Sequence, residues 1–317
     1  MMRGSRVVAT DRSAFPQPRS PETKVKRILS FVTLLFLMAA GPASASDRLQ
    51  IVASFSILGD MVRQVTGDLA DVTTIVGPDA DAHLYKPNTA DAKAVAGADI
   101  VFVNGLGFET WSDSLISNAG GDARVVVATD GVEPLLVDGE IDPHAWNALT
   151  NGVIYVENIA AAMAAADAGN ADAYKANAAS YIAKLRALHA GAADRFGSLP
   201  EGGRTVVTAH DAFGYLADSY ALNFLAPVGI DTEAEPSASE LAALIAHLKE
   251  TGAGALFVEN ITSPALIEQI SKETGLKIGG HLFSDALSER GGPATSYVAM
   301  FEHNLGAIMT ALEDSGS

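Results

Sequence analysis

Short apolar runs rich in valine and isoleucine alternate with helical patterns along most of this chain. The runs before residue 130 predict four strands, which are LQIVAS (49–54), DVTTIVG (71–77), ADIVFVNG (98–105) and ARVVVAT (123–129). Further strands are predicted at RTVVTAH (204–210), ALFVEN (255–260) and KIGGHLF (277–283), with helices at 56–67, 88–96, 237–251, 264–274 and 295–313. Such alternation is typical of βα units, so we expect mainly parallel sheets covered by helices.

Between residues 151 and 199 nearly every residue is a helix former, and alanine dominates. The segment DAGNAD (167–172) predicts a break, at which Gly169 ends one helix and Asn170 caps the next. The second helix, over about 171–196, would be about 40 Å long, which is the width of a domain. The pattern therefore predicts two α/β lobes with mainly parallel sheets, joined by one long rigid helix.

The first 45 residues have the order of a secretory signal peptide behind an N-terminal extension. Three basic residues between 24 and 27 precede the apolar run ILSFVTLLFLMAA (28–40), and an A-x-A cleavage site follows at 43–45. The apolar run is shorter than the roughly 20 residues that span a bilayer, which favours a signal peptide over a membrane anchor. The predicted division is a signal peptide with extension (1–45), an N-terminal α/β lobe (46–165), a linking long helix (166–200) and a C-terminal α/β lobe (201–317).

Charge and the absence of cysteine exclude several classes of protein. The sequence has no cysteine, which rules out disulfides, thiolate metal sites, cysteine nucleophiles and lipid attachment at the predicted cleavage site. Seven of the 21 basic residues and two of the 38 acidic ones precede residue 46, so the remainder carries a formal charge of −22. This charge argues against nucleic acid or an anionic membrane as a partner, and it suits a soluble protein that meets cations.

Seven histidines are the first candidates for binding chemistry. Three of them lie in helical patterns and are expected to be surface or packing residues, namely His189, His247 and His303. His83 and His144 lie in loops, whereas His210 and Asp285 lie at or just past the carboxyl ends of predicted strands. Ligands of open α/β sheets bind at those ends, so the four residues, two from each lobe, are candidates for one shared cleft.

Six segments, in chain order, carry a family resemblance, and they are IVASFSILGDMV, VGPDADAHLYKPNTAD, ADIVFVNGLGFETW, DPHAWNAL, TAHDAFGYLA and FSDALS. Through these segments the predicted mature chain resembles the solute-binding proteins of zinc and manganese ABC importers, known as cluster A-I. The resemblance implies two α/β lobes joined by one long helix, with a metal ion between the lobes. It also implies that the four metal ligands fall on His83, His144, His210 and Asp285.

The segment TAHDAFGYLA sets Asp211 beside His210, and the pair alone fits a catalytic dyad, a metal ligand with a neighbour, or a buried histidine. By the resemblance, His210 is a ligand and Asp211 points elsewhere, since consecutive residues leaving a strand tend to face opposite ways. Three neutral imidazoles and one carboxylate suit tetrahedral Zn²⁺ with no open position for water. The resemblance implies a monomer that carries Zn²⁺ in the periplasm to an inner-membrane ABC permease, with a metallochaperone as an optional partner.

Three alternatives stay open at this point. A metal-dependent hydrolase built on the same cluster would need an open coordination position and a general base, and the sequence has no HExxH, GxSxG or P-loop motif. A manganese-type member of the same family typically carries a carboxylate at the position of His210. An adhesin that kept the family fold would need a surface anchor, which the cysteine-free leader does not offer.

One segment departs from the family pattern. Many zinc-specific members have a long loop rich in histidine and acidic residues before the second ligand. Here the corresponding segment, DGVEPLLVDGEID (130–142), is short, acidic and free of histidine, and it is expected to be a solvated loop. His281, four residues before Asp285, is expected to be a strand residue near the site and not a ligand.

Overall fold

The computed structural model describes residues 48–200, 203–251 and 254–315, so the predicted signal peptide lies outside the described residues. Its strands are β1 (Leu49–Phe55), β2 (Ala70–Val76), β3 (Ile100–Val103), β4 (Arg124–Val127), β5 (Leu136–Val137), β6 (Glu140–Ile141), β7 (Thr205–Val207), β8 (Asn223–Leu225), β9 (Ala255–Glu259) and β10 (Ile278–Leu282). Its α-helices are α1 (Ser56–Thr66), α2 (Thr89–Ala96), α3 (Ser112–Ala119), α4 (Leu149–Ala166), α5 (Ala171–Gly197), α6 (Gly214–Tyr220), α7 (Ala238–Thr251), α8 (Ala265–Thr274) and α9 (Tyr297–Ser315).

Strands β1 to β4 form the first sheet, in the order β2-β1-β3-β4, and every pair is parallel. Parallel neighbours need crossover connections, which α1, α2 and α3 provide in turn. The last five residues of β1 are buried, as expected for a central strand with both faces covered. The predicted α/β lobe with a parallel sheet is therefore confirmed for this half of the chain.

The second sheet has the order β10-β9-β7-β8, again with parallel pairs only. From β7 the chain moves outward to β8, and from β9 it moves outward to β10, so the direction of winding reverses between β7 and β9. Crevices outside the carboxyl ends of strands at such a reversal are the usual ligand sites of open α/β sheets. His210 follows β7 at this point of the sheet.

Helix α5 is the predicted long helix, with 27 residues. Its buried face includes Tyr174 and Leu185, and the burial of each such side chain contributes about 1.5–3 kcal/mol. Asn177 on α5 donates to the carbonyl of Val65 at the end of α1, over 3.0 Å. Further along, Phe196 stacks on Tyr220 of α6 with ring centroids 5.3 Å apart. The helix therefore contacts elements that flank both sheets.

At the break before α5, the prediction that Gly169 ends the first helix is wrong, and the prediction that Asn170 caps the second is confirmed in position only. Helix α4 ends at Ala166 with Asp167 as its C-cap, two residues before Gly169. Asn170 occupies the N-cap position of α5, but its side-chain oxygen makes no capping bond, and its amide nitrogen donates to the Asp167 carboxylate over 2.6 Å. The turn is thus held by the carboxylate of Asp167.

Five of the labelled strands and helices were not predicted from the sequence, and all are short: helices α3 and α6, the hairpin strands β5 and β6, and edge strand β8. The hairpin turn uses Asp138 and Gly139, both with positive φ (52° and 91°), as the two-residue Asp-Gly turn favours. None of the helices among the described residues is long and apolar enough to cross a membrane. The exact lobe boundaries remain a prediction.

Candidate metal centre

Four polar side chains from separate loops meet at one point between the two sheets. His83 lies in the loop after β2, and His144 directly precedes the 3₁₀ turn Ala145–Asn147. His210 follows β7, and Asp285 follows β10. One ligand atom from each of the four lies within 4.8 Å of those of the other three, and all four residues are buried. The structure thus brings together all four residues named from the sequence; their role as ligands stays a prediction.

The distances within this cluster have the scale of a tetrahedral site. His83 Nε2 lies 3.3 Å from His144 Nε2 and 3.3 Å from Asp285 Oδ2. His210 Nε2 also lies 3.3 Å from Asp285 Oδ2, and His144 Nε2 lies 3.7 Å from Asp285 Oδ1. Zinc bonds of 2.0–2.1 Å in tetrahedral geometry separate neighbouring ligand atoms by about 3.3 Å. Three of these four contacts therefore have the ligand spacing of a tetrahedral zinc site, and all ligand atoms of the set lie within 4.8 Å of one another.

All four side chains of the cluster are shielded from solvent, so a charge on any of them needs a compensating partner. The relative exposures are 8% for His83, 0% for His144, 1% for His210 and 0% for Asp285. Neither carboxylate oxygen of Asp285 makes a hydrogen bond with another group of the described residues. The nearest groups to the buried carboxylate are imidazole nitrogens 3.3–3.7 Å away, and a buried charge needs a counter-charge, so a cation held by this carboxylate and the three imidazoles fits the donor set.

The pKa of His210 and the pKa of Asp285 depend on each other. Burial disfavours a charged imidazolium, but the carboxylates of Glu259 and Asp285 outweigh burial and raise the pKa of His210 well above its ordinary value. Burial would likewise raise the pKa of Asp285, yet the charges of His210 and His144 hold that pKa well below its usual range. The two pKa shifts share one cause, the short distance between His210 and Asp285, and because an imidazole must be deprotonated to bind a metal, protons and a metal compete for this centre.

Two further carboxylates, which the sequence analysis missed, contact the outer ring nitrogens. Asp142 Oδ1 accepts hydrogen bonds from the Nδ1 of His144 (2.8 Å) and from its backbone N–H (2.9 Å). Glu259 Oε2 lies 2.6 Å from His210 Nδ1. Carboxylates in this position fix the orientation of a metal-binding imidazole and its proton on the far nitrogen. The signal available in the sequence was an acidic residue at the end of an otherwise apolar strand, ALFVE.

The loop that carries His83 is held in place by hydrogen bonds and by aromatic packing. Asp81 Oδ1 accepts from the backbone N–H of His83 over 2.8 Å, and Asp81 Oδ2 accepts from the hydroxyl of Thr232 over 2.6 Å. Phe108 packs edge-on against the His83 ring with centroids 4.9 Å apart. Because Thr232 lies beyond β8 and His83 lies beyond β2, this loop contacts the second lobe directly beside the cluster.

The remaining candidates lie outside the cluster. His189 contacts the hydroxyl of Tyr220 at 3.2 Å, and His303 Nε2 contacts the carbonyl of His281 at 2.9 Å. His281 lies on β10, as predicted, and it is exposed. Asp211 is half-buried and is not part of the cluster of four. The acidic segment 130–142 contains the β5–β6 hairpin and contributes Asp142 beside His144 but none of the four clustered side chains.

Two α/β lobes with a buried cluster of imidazoles and a carboxylate between them define a solute-binding protein for a divalent metal. Residues 51–311 match the family model ZnuA, described as zinc-uptake complex component A, periplasmic. The chain belongs to this family of substrate-binding proteins of metal ABC transporters, within cluster A-I. Members are transport components that work with a permease and an ATPase, and they are not enzymes, so the hydrolase alternative is not favoured.

Relatives that resemble this chain over most of its length are named for different metals. The iron ABC transporter substrate-binding lipoprotein MtsA of Streptococcus pyogenes serotype M6 is 33% identical, over 91% of this chain and 98% of that protein. The manganese protein PsaA of Streptococcus pneumoniae is also 33% identical, over 91% of this chain and 99% of its own length.

Solved structures support the same fold. The periplasmic zinc-binding protein TroA from Treponema pallidum superposes with a TM-score of 0.80 at 27% identity, covering 84% of this chain and 99% of TroA. A manganese-bound periplasmic metal-binding protein from candidatus Liberibacter asiaticus gives a TM-score of 0.77 at 32% identity, covering 84% of this chain and all of that one. Family membership therefore establishes a binding protein for a divalent metal and leaves the metal to be inferred from the donor atoms.

Proposed function

We propose that this protein binds Zn²⁺ as its cargo through His83, His144, His210 and Asp285 and delivers it to an ABC permease. The observation that carries the proposal is the donor set: three imidazole nitrogens and one carboxylate, spaced 3.3–3.7 Å apart in the contacts around Asp285 and between His83 and His144. Zn²⁺ accepts this tetrahedral set without any ligand-field preference.

The choice of zinc over manganese depends mainly on the nitrogen ligand at position 210. Mn²⁺ favours oxygen ligands and higher coordination numbers, and it binds nitrogen sites most weakly among the first-row divalent metals. Fe²⁺ stands next to Mn²⁺ in that order, although some relatives are named for iron or manganese. A site with three nitrogen donors supports zinc as the cargo against both metals.

The buried, closed arrangement suits a carrier. A catalytic metal site keeps one coordination position for water or substrate, whereas here four protein donors supply a complete tetrahedral shell. With all four residues at 8% exposure or less, release of the metal requires that the lobes separate or that a ligand-bearing loop moves.

Export to the periplasm follows from the predicted signal peptide together with the periplasmic description of the family. MtsA and PsaA are named as lipoproteins. Attachment of a lipid to a leader cysteine is not available to this sequence, which has no cysteine, so we infer a protein without that anchor. The short segment 130–142 lacks histidine, so it gives no support for a metal-collecting role or for transfer from a metallochaperone.

X-ray absorption spectroscopy of the zinc-loaded protein tests this proposal. We expect a four-coordinate metal whose shell is fitted by three imidazoles and one carboxylate oxygen. A shell fitted by fewer than three imidazoles, or by five or six donors, would contradict the closed site and reopen a catalytic role. His210→Glu should weaken zinc binding more than manganese binding, because it exchanges a nitrogen donor for an oxygen donor.

A further inference from the structure

Glu259 differs from Asp142, the other carboxylate beside an outer ring nitrogen, because its two oxygens have different partners. Glu259 Oε1 accepts from two backbone N–H groups, those of Ala209 (2.8 Å) and His210 (2.9 Å). Its other oxygen, Oε2, lies 2.6 Å from His210 Nδ1, and the side chains of Glu259 and His210 are 0% and 1% exposed. One oxygen therefore holds the end of β7, and the other faces the imidazole ring.

The contact between Glu259 and the ring favours a proton on Nδ1. Nitrogen and oxygen at 2.6 Å are closer than in an ordinary N–H···O bond, although the ring N–H is not aligned with the oxygen. An unprotonated Nδ1 at that distance would be repelled by the carboxylate, whereas a protonated Nδ1 is attracted to it, so the contact favours the proton on Nδ1. A neutral His210 then has its free lone pair on Nε2, which is the atom that faces Asp285 at 3.3 Å.

We propose that Glu259 is the positioning residue that selects the metal-binding tautomer of His210, and that it does so in a way that glutamine cannot replace. This inference rests on the proposed function, since it concerns a ligand of the same site. In Glu259→Gln, the amide oxygen has to keep the two backbone N–H groups, because an amide NH₂ facing them would set donor against donor. The amide NH₂ then faces Nδ1, donates to it and forces the ring proton onto Nε2, where it blocks the metal.

Asp142 provides a matched contrast. A single oxygen, Oδ1, receives both the backbone N–H and the Nδ1–H of His144, while Oδ2 makes no hydrogen bond within the described residues. In Asp142→Asn the amide oxygen can take over both contacts, and the NH₂ occupies the place of Oδ2. The tautomer of His144 is therefore preserved in this variant.

Isothermal titration with Zn²⁺ on the whole mature protein tests the inference, using the variants Glu259→Gln, Glu259→Ala and Asp142→Asn. Loss of an outer-shell partner typically lowers metal affinity about 10- to 100-fold. We expect a loss of about 100-fold for Glu259→Gln, a smaller loss for Glu259→Ala, and a loss below about 10-fold for Asp142→Asn. A larger loss of zinc affinity in Glu259→Gln than in Glu259→Ala would indicate control of the tautomer. If Glu259 had only a structural role, truncation to alanine would reduce zinc affinity more than the change to glutamine.

Nitrogen-15 NMR of the metal-free variants, recorded at a pH above the raised pKa of His210 so that its imidazole is neutral, gives the second measurement. The wild type should show His210 protonated on Nδ1, and Glu259→Gln should show it protonated on Nε2. If Glu259→Gln does not fold, the spectrum of Glu259→Ala provides the test. A mixture of the two His210 tautomers in Glu259→Ala supports the inference, whereas His210 protonated only on Nδ1 overturns it. Equal zinc affinities of Glu259→Gln and wild type would also overturn it, whereas a wild type that binds no zinc would overturn the proposed function instead.

Discussion

The indole N–H of Trp146 donates to the backbone carbonyl of Ser284 over 2.8 Å, and both residues are completely buried. Trp146 lies two residues after His144, and Ser284 directly precedes Asp285. This bond therefore connects a ligand-bearing segment of the first lobe to a ligand-bearing segment of the second. Trp146 is itself fixed by Phe55 and Phe108, whose ring centroids lie 4.8 and 4.6 Å away.

Trp146→Phe should weaken this connection between the lobes. It leaves the buried carbonyl of Ser284 without its donor, which costs about 1–3 kcal/mol in free energy of unfolding. We expect faster zinc release as well, measured by transfer to a chromogenic chelator in stopped flow. Trp111→Phe is the control, since Trp111 is half-buried and bonds the carbonyl of Ala82 within its own lobe. An unchanged release rate in Trp146→Phe would mean that this bond does not hold the lobes together around the metal.

Alanine at any of the four cluster positions should sharply reduce zinc affinity. Structural zinc sites contribute about 10–16 kcal/mol, so removal of one of four ligands is expected to cost about 3 kcal/mol, or about 100-fold in affinity. The matched controls His189→Ala and His303→Ala change histidines outside the cluster and should bind zinc as the wild type does. Calorimetric titration decides the assignment: unchanged affinity in any two of the four cluster variants would be incompatible with it.

Zinc affinity should rise with pH. The pKa of His210 is raised in the metal-free protein. Its protonated form therefore stabilises the metal-free folded protein at low pH, and this stabilisation is lost as pH rises through the raised pKa. The lowered pKa of Asp285 has the opposite pH dependence. The ionised carboxylate stabilises the folded protein above its usual pKa, and this stabilisation is lost as pH falls through the lowered pKa. Zinc has to displace the proton from His210, so affinity falls from pH 7 to pH 5. Calorimetry in buffers of different ionisation enthalpy should detect release of at least one proton at pH 7, and a flat affinity without proton release would show that imidazoles are not the ligands.

Alanine substitutions at Gly152 and Gly191 are expected to change the free energy of unfolding in opposite directions. A Cβ on Gly152 would lie 2.6 Å from the hydroxyl oxygen of Tyr297, which is buried and donates to the carbonyl of Trp146. We expect Gly152→Ala to destabilise the protein by about 1–3 kcal/mol through overpacking. A Cβ on Gly191 of α5 would meet no neighbouring group within 4 Å, so Gly191→Ala should stabilise by about 0.5–1 kcal/mol through helix propensity. Urea unfolding of both variants tests the pair, and two changes of the same sign would contradict it.

The sequence predicted the parallel sheets and the long helix because these elements depend on periodic apolar patterns. Seven predicted strands and the helices from α7 onward agree with the structure to within a few residues. Edge strand β8 has only three residues, too few for a pattern to emerge. Asn170 was expected to cap α5 from its residue type alone, but the choice of its partner depended on where Asp167 lies in space.

The four cluster residues were named from the sequence, two from loop positions and two from strand ends, and the family resemblance joined them into a set. Their outer contacts were not predictable in the same way. Glu259 meets His210 only because β9 lies next to β7 in the sheet, and this adjacency is a property of topology. The role of Asp142 depends on a backbone turn that brings its oxygen to both nitrogens of His144.

The identity of the metal is the central claim, and a competition titration tests it most directly. The mature protein, stripped of metal, is titrated with Zn²⁺ in the presence of Mn²⁺ and the reverse, at pH 7 with a calibrated chelator. Three nitrogen donors predict that zinc binds more tightly than manganese by on the order of 100-fold or more, with one ion per chain. Manganese affinity equal to that of zinc would contradict the zinc assignment, and the protein would then be a manganese-type binding protein of the same family.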